Sequence, residues 1–190
     1  MVSPSKLKIG MFTEPVEMVF QFLESDYEFK KQVITPRKVR YSKNGVYISL
    51  TYSNYDEVSM TCGLKEDKNN LGFSSNLFSE LSDPMNYDRR VDYIGNDRNG
   101  ITQALRDHAK ILTLHGQRIL NAEHSVFNDL QNLVRRKTNE RRIKALREKA
   151  NIAFSNNDYA TAYQYYIQLN TDRNRLDEKR LHICNSRLNQ

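Results

Sequence analysis

Val46-Tyr47-Ile48-Ser49-Leu50-Thr51-Tyr52, entered through Lys43-Asn44-Gly45, decides the fold of this chain. Asn-Gly is the strongest short hairpin signal, because both residues tolerate the positive φ of a tight two-residue turn. Beyond it the residues alternate. Val46, Ile48, Leu50 and Tyr52 lie on one face, and Tyr47, Ser49 and Thr51 lie on the other, the period of a strand. Working upstream, Lys38-Val39-Arg40-Tyr41 supplies the partner strand, and Phe29 to Ile34, closed by Thr35-Pro36, supplies another. Downstream, Ser53-Asn54 turns the chain, and Glu57 to Leu64 alternates again with Val58, Met60, Cys62 and Leu64 on one face. Strands joined by short turns make an antiparallel meander, expected to have one packed face and one wetter face.

Helical patterns flank the meander. Glu14-Pro15 suits a helix start, since proline fits the first turn and a carboxylate favours its positive end. Val16, Val19, Phe20 and Leu23 follow at helical spacing. Leu71-Gly72-Phe73 reads as a short fifth strand, and Ser74 to Leu81 fits either a strand or a helix. No proline occurs after Pro84. Ile101, Ala104, Leu105, His108, Leu112, His115 and Ile119 form a stripe that faces a core, Asn121-Ala122-Glu123 is a turn, and Val126, Phe127, Leu130, Leu133 and Val134 begin a second stripe. From Arg135 to Arg142 there is no apolar residue, so this stretch buries nothing. The expected class is α+β: an N-terminal helix and an antiparallel meander sheet packed by helices, then a C-terminal helical hairpin or bundle. The expected divisions are a core domain over 1–134, a basic connector or exposed helix over 135–142, and a helical hairpin with a terminal helix over 143–190.

Composition bounds the function. The chain has 190 residues, 38% hydrophobic and 27% charged, with 8 Phe and 11 Tyr, enough to build a core. No apolar run approaches the roughly 20 residues that span a bilayer, so no membrane partner is expected. Met1 to Gly10 lacks the apolar segment of a secretory signal. Cys62 and Cys184 are the only two cysteines, which excludes a disulfide scaffold and points to a reducing, cytoplasmic setting.

The net charge of +6 is unevenly placed. Residues 1–97 carry 12 basic and 14 acidic side chains, whereas residues 98–190 carry 17 and 9. The densest stretch runs from Arg135 to Lys149, with eight cations offset by Glu140 and Glu148. Arg135, Arg136, Lys137, Arg141, Arg142, Lys144 and Arg147 are the candidate nucleic-acid-binding residues, because such cations release counterions from phosphates. A solvated helix face explains the same run, and no aromatics interleave with it as a stacking platform needs.

Leu146-x3-Ala150-x3-Phe154-x3-Asp158-Tyr159-x2-Ala162-x3-Tyr166 resembles one tetratricopeptide-type repeat: a small residue in the first helix, Asp-Tyr at the turn, then alanine and an aromatic in the second helix. It departs at Lys149, where the repeat has an apolar residue, and lacks the closing proline. Arg175 to Leu188, with Leu176, Leu181, Ile183, Cys184 and Leu188, is placed to cover part of the hairpin. The resemblance implies a protein-binding surface, with Tyr159, Tyr163 and Tyr166 as its aromatics. The overall layout also looks similar to small bacterial accessory and immunity-type proteins. Tyr87-Asp88-Arg89-Arg90-Val91-Asp92-Tyr93 has an interface-like composition, which adds Tyr87, Arg89, Arg90 and Tyr93 to the candidate protein-binding residues.

Catalytic signals are sparse. His108 and His115 are seven apart on one helix face, not at the i, i+4 spacing of a metal pair, and a structural role bonded to a carbonyl or carboxylate is the stronger reading. Cys62 reads as a small core residue, although a Cys–His dyad through space is a further option. His124 is expected to be exposed near a helix start. Gly95 to Gly100 lacks the Gly-Lys-Ser/Thr ending of a phosphate loop, and there is no nucleophile elbow or dinucleotide fingerprint. No catalytic residue, metal or cofactor is expected. The leading expectation is a non-catalytic accessory subunit that binds another protein, and the alternative is a nucleic-acid-associated protein using 135–149.

Overall fold

The computed structural model describes residues 10–65, 72–85 and 97–189. It divides into two compact units, residues 1–131 and residues 132–190. The class is α+β, a five-stranded antiparallel sheet with helices.

The first unit opens with α1 (Thr13–Phe20) and the single turn α2 (Phe22–Ser25). The sheet follows in simple meander order: β1 (Lys30–Thr35), β2 (Lys38–Lys43), β3 (Val46–Tyr52), β4 (Val58–Leu64) and β5 (Phe73–Ser74). Asn44 and Gly45 turn the β2–β3 hairpin with φ of 46° and 80°, which pairs Lys43 with Val46 and Tyr41 with Ile48. The β3–β4 turn is held by the Ser53 hydroxyl, which accepts from the backbone N–H groups of Tyr55 and Glu57.

This register sets the inner face. Val39, Tyr41, Val46, Ile48, Leu50, Tyr52, Val58, Met60 and Cys62 are all buried on it. Phe12 and Phe20 from the first helical segment meet Tyr52 and Tyr41, with ring centroids 5.9 and 6.3 Å apart. Each such side chain contributes about 1.5–3 kcal/mol by leaving water. α4 (Arg98–His115) adds Ile101, Leu105 and Leu112 to the same core and packs on α1 and β4. Asp97 caps it, its carboxylate accepting from the Gly100 N–H at 2.7 Å.

The outer face of β3 is drier than its alternation implies, for Tyr47 and Ser49 are 6% and 2% exposed. β3 is the central strand, the Arg40 guanidinium lies over the Tyr47 ring at 4.7 Å, and Gly72 comes so close that a Cβ there would sit 3.2 Å from the Tyr47 hydroxyl. The fifth strand is shifted to Phe73–Ser74, with residue 71 outside the described part. The ambiguous stretch after it is helical, α3 (Ser75–Ser82), with Ser75, Phe78 and Ser79 turned inward at i, i+3 and i+4. The α4 stripe is interrupted at the buried Gly116, after which the short α5 (Gln117–Leu120) buries Ile119 and Leu120.

α6 (Ser125–Ser155) is one continuous helix of 31 residues through the basic stretch. From residue 132 onward it belongs to the second unit, with α7 (Tyr159–Leu169) and α8 (Arg175–Leu188). Asn157 ends α6 in the left-handed conformation, φ 59°. The N–H groups of Asn157 and Asp158 bond back to Phe154 and Ala153, the pattern of a Schellman stop. Asp158 then caps α7 by accepting from Thr161 N–H, and these bonds hold its carboxyl below the usual range. The core of this unit is Ala150, Ala153, Ala162, Tyr166, Leu169 and Cys184, flanked by Leu146, Phe154, Tyr159 and Leu181. Among the described residues no helix is long and apolar enough to cross a membrane.

The Tyr41 hydroxyl is fully buried and has no hydrogen-bond partner among the described residues. Burial, with Glu24 and Glu17 adding to it, pushes its pKa far up. A buried unpaired hydroxyl is a cost, so Tyr41→Phe is expected to raise the unfolding free energy by about 1 kcal/mol in urea titration. A loss of stability of similar size would show that the hydroxyl is bonded.

Candidate functional site

The helical unit carries the charge. Over residues 132–190 there are 13 basic and 6 acidic side chains, net +7, while residues 1–131 carry 16 and 17, net −1. The acids of the helical unit are mostly engaged within it. Asp158 caps α7, Asp172 lies 3.6 Å from Arg142, Glu178 pairs with Arg173 at 2.6 Å, and Glu140 faces Arg136 at 3.8 Å. Asp177 is 1% exposed and does two jobs. Its carboxylate accepts from the Asn174 N–H at 3.0 Å, closing the capping box of α8, and from Arg147 Nε at 2.9 Å. Arg147 also donates to the Asp172 carbonyl at 2.9 Å.

The seven candidate cations therefore separate. Arg147 is a structural clasp between α6 and the start of α8, which removes it from a nucleic-acid surface. Arg142 bonds the Asn139 side chain at 3.0 and 3.2 Å besides facing Asp172. Arg135, Arg141 and Lys144 are exposed and have no ion pair or hydrogen bond among the described residues. Lys137, Arg141 and Lys144 fall at i, i+4 and i+7, one stripe of the helix, whereas Arg135 and Arg142 share another. The cations thus surround α6 rather than concentrating on one face.

The candidate aromatics are placed inside. Tyr166 is fully buried, its hydroxyl donating to Asn151 Oδ1 at 2.8 Å, and Tyr159 sits edge-on to Phe154 at 5.8 Å. Tyr163 is half-buried against the same core. Tyr166 is therefore a core residue and not a contact, because the alanines facing it leave room that only a large ring fills. Tyr87, Arg89, Arg90 and Tyr93 lie outside the described residues. The apolar side chains that this unit does expose are Ile152, Ile167, Leu176, Ile183 and Leu188, each 42% exposed or more. Leu176, Ile183 and Leu188 were expected to help cover the hairpin, but of that stripe only Leu181 and Cys184 pack against its core, because the helix turns the other three to solvent.

The histidines of α4 join it to α3. Ser75 Oγ and His108 Nδ1 are 3.2 Å apart, and Ser82 Oγ and His115 Nδ1 are 2.6 Å apart, so equal steps of seven on two parallel helices repeat one contact. His108 Nε2 lies 3.1 Å from the Val58 carbonyl, which requires the proton on that nitrogen and leaves Nδ1 to accept from Ser75. A serine–histidine pair whose far nitrogen is held by a buried carbonyl lacks the orienting carboxylate of a nucleophile. Cys62 Sγ donates to the Phe73 carbonyl at 3.6 Å, and burial pushes its thiol far up, so it makes no dyad with His108. His124 is exposed, with Nε2 2.7 Å from the Asn44 carbonyl. No group of three or more metal-ligating side chains occurs among the described residues.

No family model, curated protein or solved structure matches the chain significantly. The tetratricopeptide-type resemblance therefore rests on its own residues.

Two outcomes follow. Burial lowers the His108 pKa from 6.5 to about 4, outweighing the Val58 bond and Asp107. Between those values the unfolded chain binds a proton that the folded chain refuses. The neutral form's contribution is complete above pH 6.5 and falls away toward pH 4, on the order of 3 kcal/mol. Urea midpoints measured from pH 7.5 to 4 should fall steadily for the wild type and more shallowly for His108→Gln. Second, Arg147→Ala strands the buried Asp177 carboxylate, which is expected to cost about 3 kcal/mol and unravel the start of α8. Hydrogen exchange at Leu176 and Asp177 reads this directly; unchanged protection there contradicts the clasp.

Proposed function

We propose that this protein is a non-catalytic interaction module, an accessory subunit that holds an acidic partner protein against its helical unit. The observation that carries this reading is the mismatch within residues 132–190. Most of the acids are engaged in caps and ion pairs, while Arg135, Arg141 and Lys144 face solvent without partners among the described residues. A module with surplus cations attracts an acidic surface and gains association rate from it. A protein is favoured over nucleic acid because the same unit exposes Ile152, Ile167 and Ile183. Apolar side chains of this kind fill the dry centre of a protein interface with a charged rim, and phosphate contacts have no use for them. The repeat-like hairpin points the same way.

A nucleic acid is the second reading, favoured by the Lys137, Arg141, Lys144 stripe. The triple variant Arg135→Gln, Arg141→Gln, Lys144→Gln separates the two. All three positions carry exposed cations, so the fold should stay intact by circular dichroism. Wild-type protein passed over nuclease-treated extract of its source cells should retain a discrete acidic protein that the triple variant loses. Retention that disappears with nuclease, with a duplex-DNA salt slope about 3 units steeper for the wild type than for the variant, transfers the function to nucleic acid. Equal retention by both proteins removes the cationic surface from either role.

A further inference from the structure

A groove runs between the helices of the first unit. Met18 and Val19 of α1 and Phe22 of α2 form one wall; Arg106, Ala109, Lys110 and Thr113 of α4 form the other. It encloses about 400 Å³ and is open to solvent. The apolar wall is incompletely covered: Met18 is 60% exposed. α1 packs directly on α4, so the two walls are fixed by the core beneath them.

The rim is charged in one sense. Arg106 and Lys110 stand one turn apart, and their charged side chains have no ion pair or hydrogen bond among the described residues. The neighbouring acids point elsewhere. Glu17 is bound to Lys31 at 2.6 Å, Glu14 to Arg98 at 2.8 Å, and Asp107 accepts from Gln103 at 3.0 Å. Among the described residues no acidic side chain lines the groove. An occupant must therefore bring apolar side chains for the floor and negative charge for the rim.

We propose that this groove docks an amphipathic helix of a partner protein, one that presents apolar anchors flanked by aspartate or glutamate. The distance from Arg106 to Thr113 is about 10 Å of helix, two turns, which matches anchors at i, i+4 and i+7. An open trough buries only one side of a small molecule, whereas tight small-molecule sites bury most of their ligand. A helix needs only one stripe covered, and the unbranched Met18 adapts to different anchors as methionine does at other helix-binding surfaces. This site is separate from the cationic helical unit and stands or falls without it.

The test uses the full chain with methyl-labelled methionine and a panel of 15-residue peptides carrying leucine or phenylalanine at i, i+4 and i+7 and glutamate around them. At least one peptide should shift the Met18 methyl signal saturably, and its lysine-for-glutamate counterpart should not. Arg106→Glu with Lys110→Glu should weaken the acidic peptide by about tenfold or more and admit the lysine peptide instead. Thr113→Glu, at an exposed position of the α4 wall, keeps the Met18 probe and should weaken the acidic peptide while leaving the circular dichroism unchanged. If no acidic peptide moves Met18, or if the charge-reversed protein binds it equally well, the proposal is wrong. A Met18 shift produced by decanoate and not by any peptide also overturns it, assigning the groove to an anionic amphiphile.

Discussion

The left-handed turn at Asn44-Gly45 is the constraint on which the first unit depends. With Lys43 set opposite Val46, every following pair is determined, Tyr41 to Ile48 and Val39 to Leu50. A slip of one residue would turn Ile48 and Leu50 outward and bring Tyr47 and Ser49 to the helices. The correct register instead offers one continuous apolar face, on which Phe20 meets Tyr41 and His108 reaches the Val58 carbonyl. The seats of α1 and α4 are fixed by these contacts. Their outward stripes, Met18 with Val19 and Arg106 with Lys110, then have no core left to fill. The groove is the consequence of an apolar stripe on α1 and α2 that the sheet does not cover, facing a cationic stripe of α4.

The helical unit solves a different problem. Its core is six residues, three of them alanine, so packing alone gives little. Polar bonds supply the definition. Asp177 closes the cap of α8 and receives Arg147, while Asn151 accepts from both Tyr166 and Arg180. A buried carboxylate with an arginine and a backbone N–H is tolerable only as a complete set, which is why this corner fixes where α8 begins. The same economy leaves cations in excess, because most of the acids are taken up by caps and pairs.

Much of this was readable in the chain. The hairpin, the strand spans, the α4 stripe and the α6–α7 turn each follow from local chemistry: positive φ at Asn44, alternation over residues 46–52, capping at Asp158. The ambiguous stretch after Ser74 was not readable, since Ser75, Phe78 and Ser79 form a helical face only once β5 is short enough to release them. Nor was the burial of Tyr47, which depends on Arg40 from a neighbouring strand. The cations show the limit most clearly. Arg147 and Arg141 are alike in sequence, six positions apart in one basic run. Only the return of α8 places Asp177 beside the first and no acid beside the second.

That distinction bears on what kind of partner suits the helical unit. A phosphate backbone rewards a row of cations on one face, yet these lie around the helix, so a straight polyanion reaches one stripe at a time. A folded acidic protein can meet cations on more than one side and cover Ile152 or Ile183 as well. Steering by net charge acts before contact and does not need the cations aligned. In the proposed reading the surplus of +7 favours encounter with an acidic protein, and the exposed isoleucines supply the apolar contact that would make the encounter last.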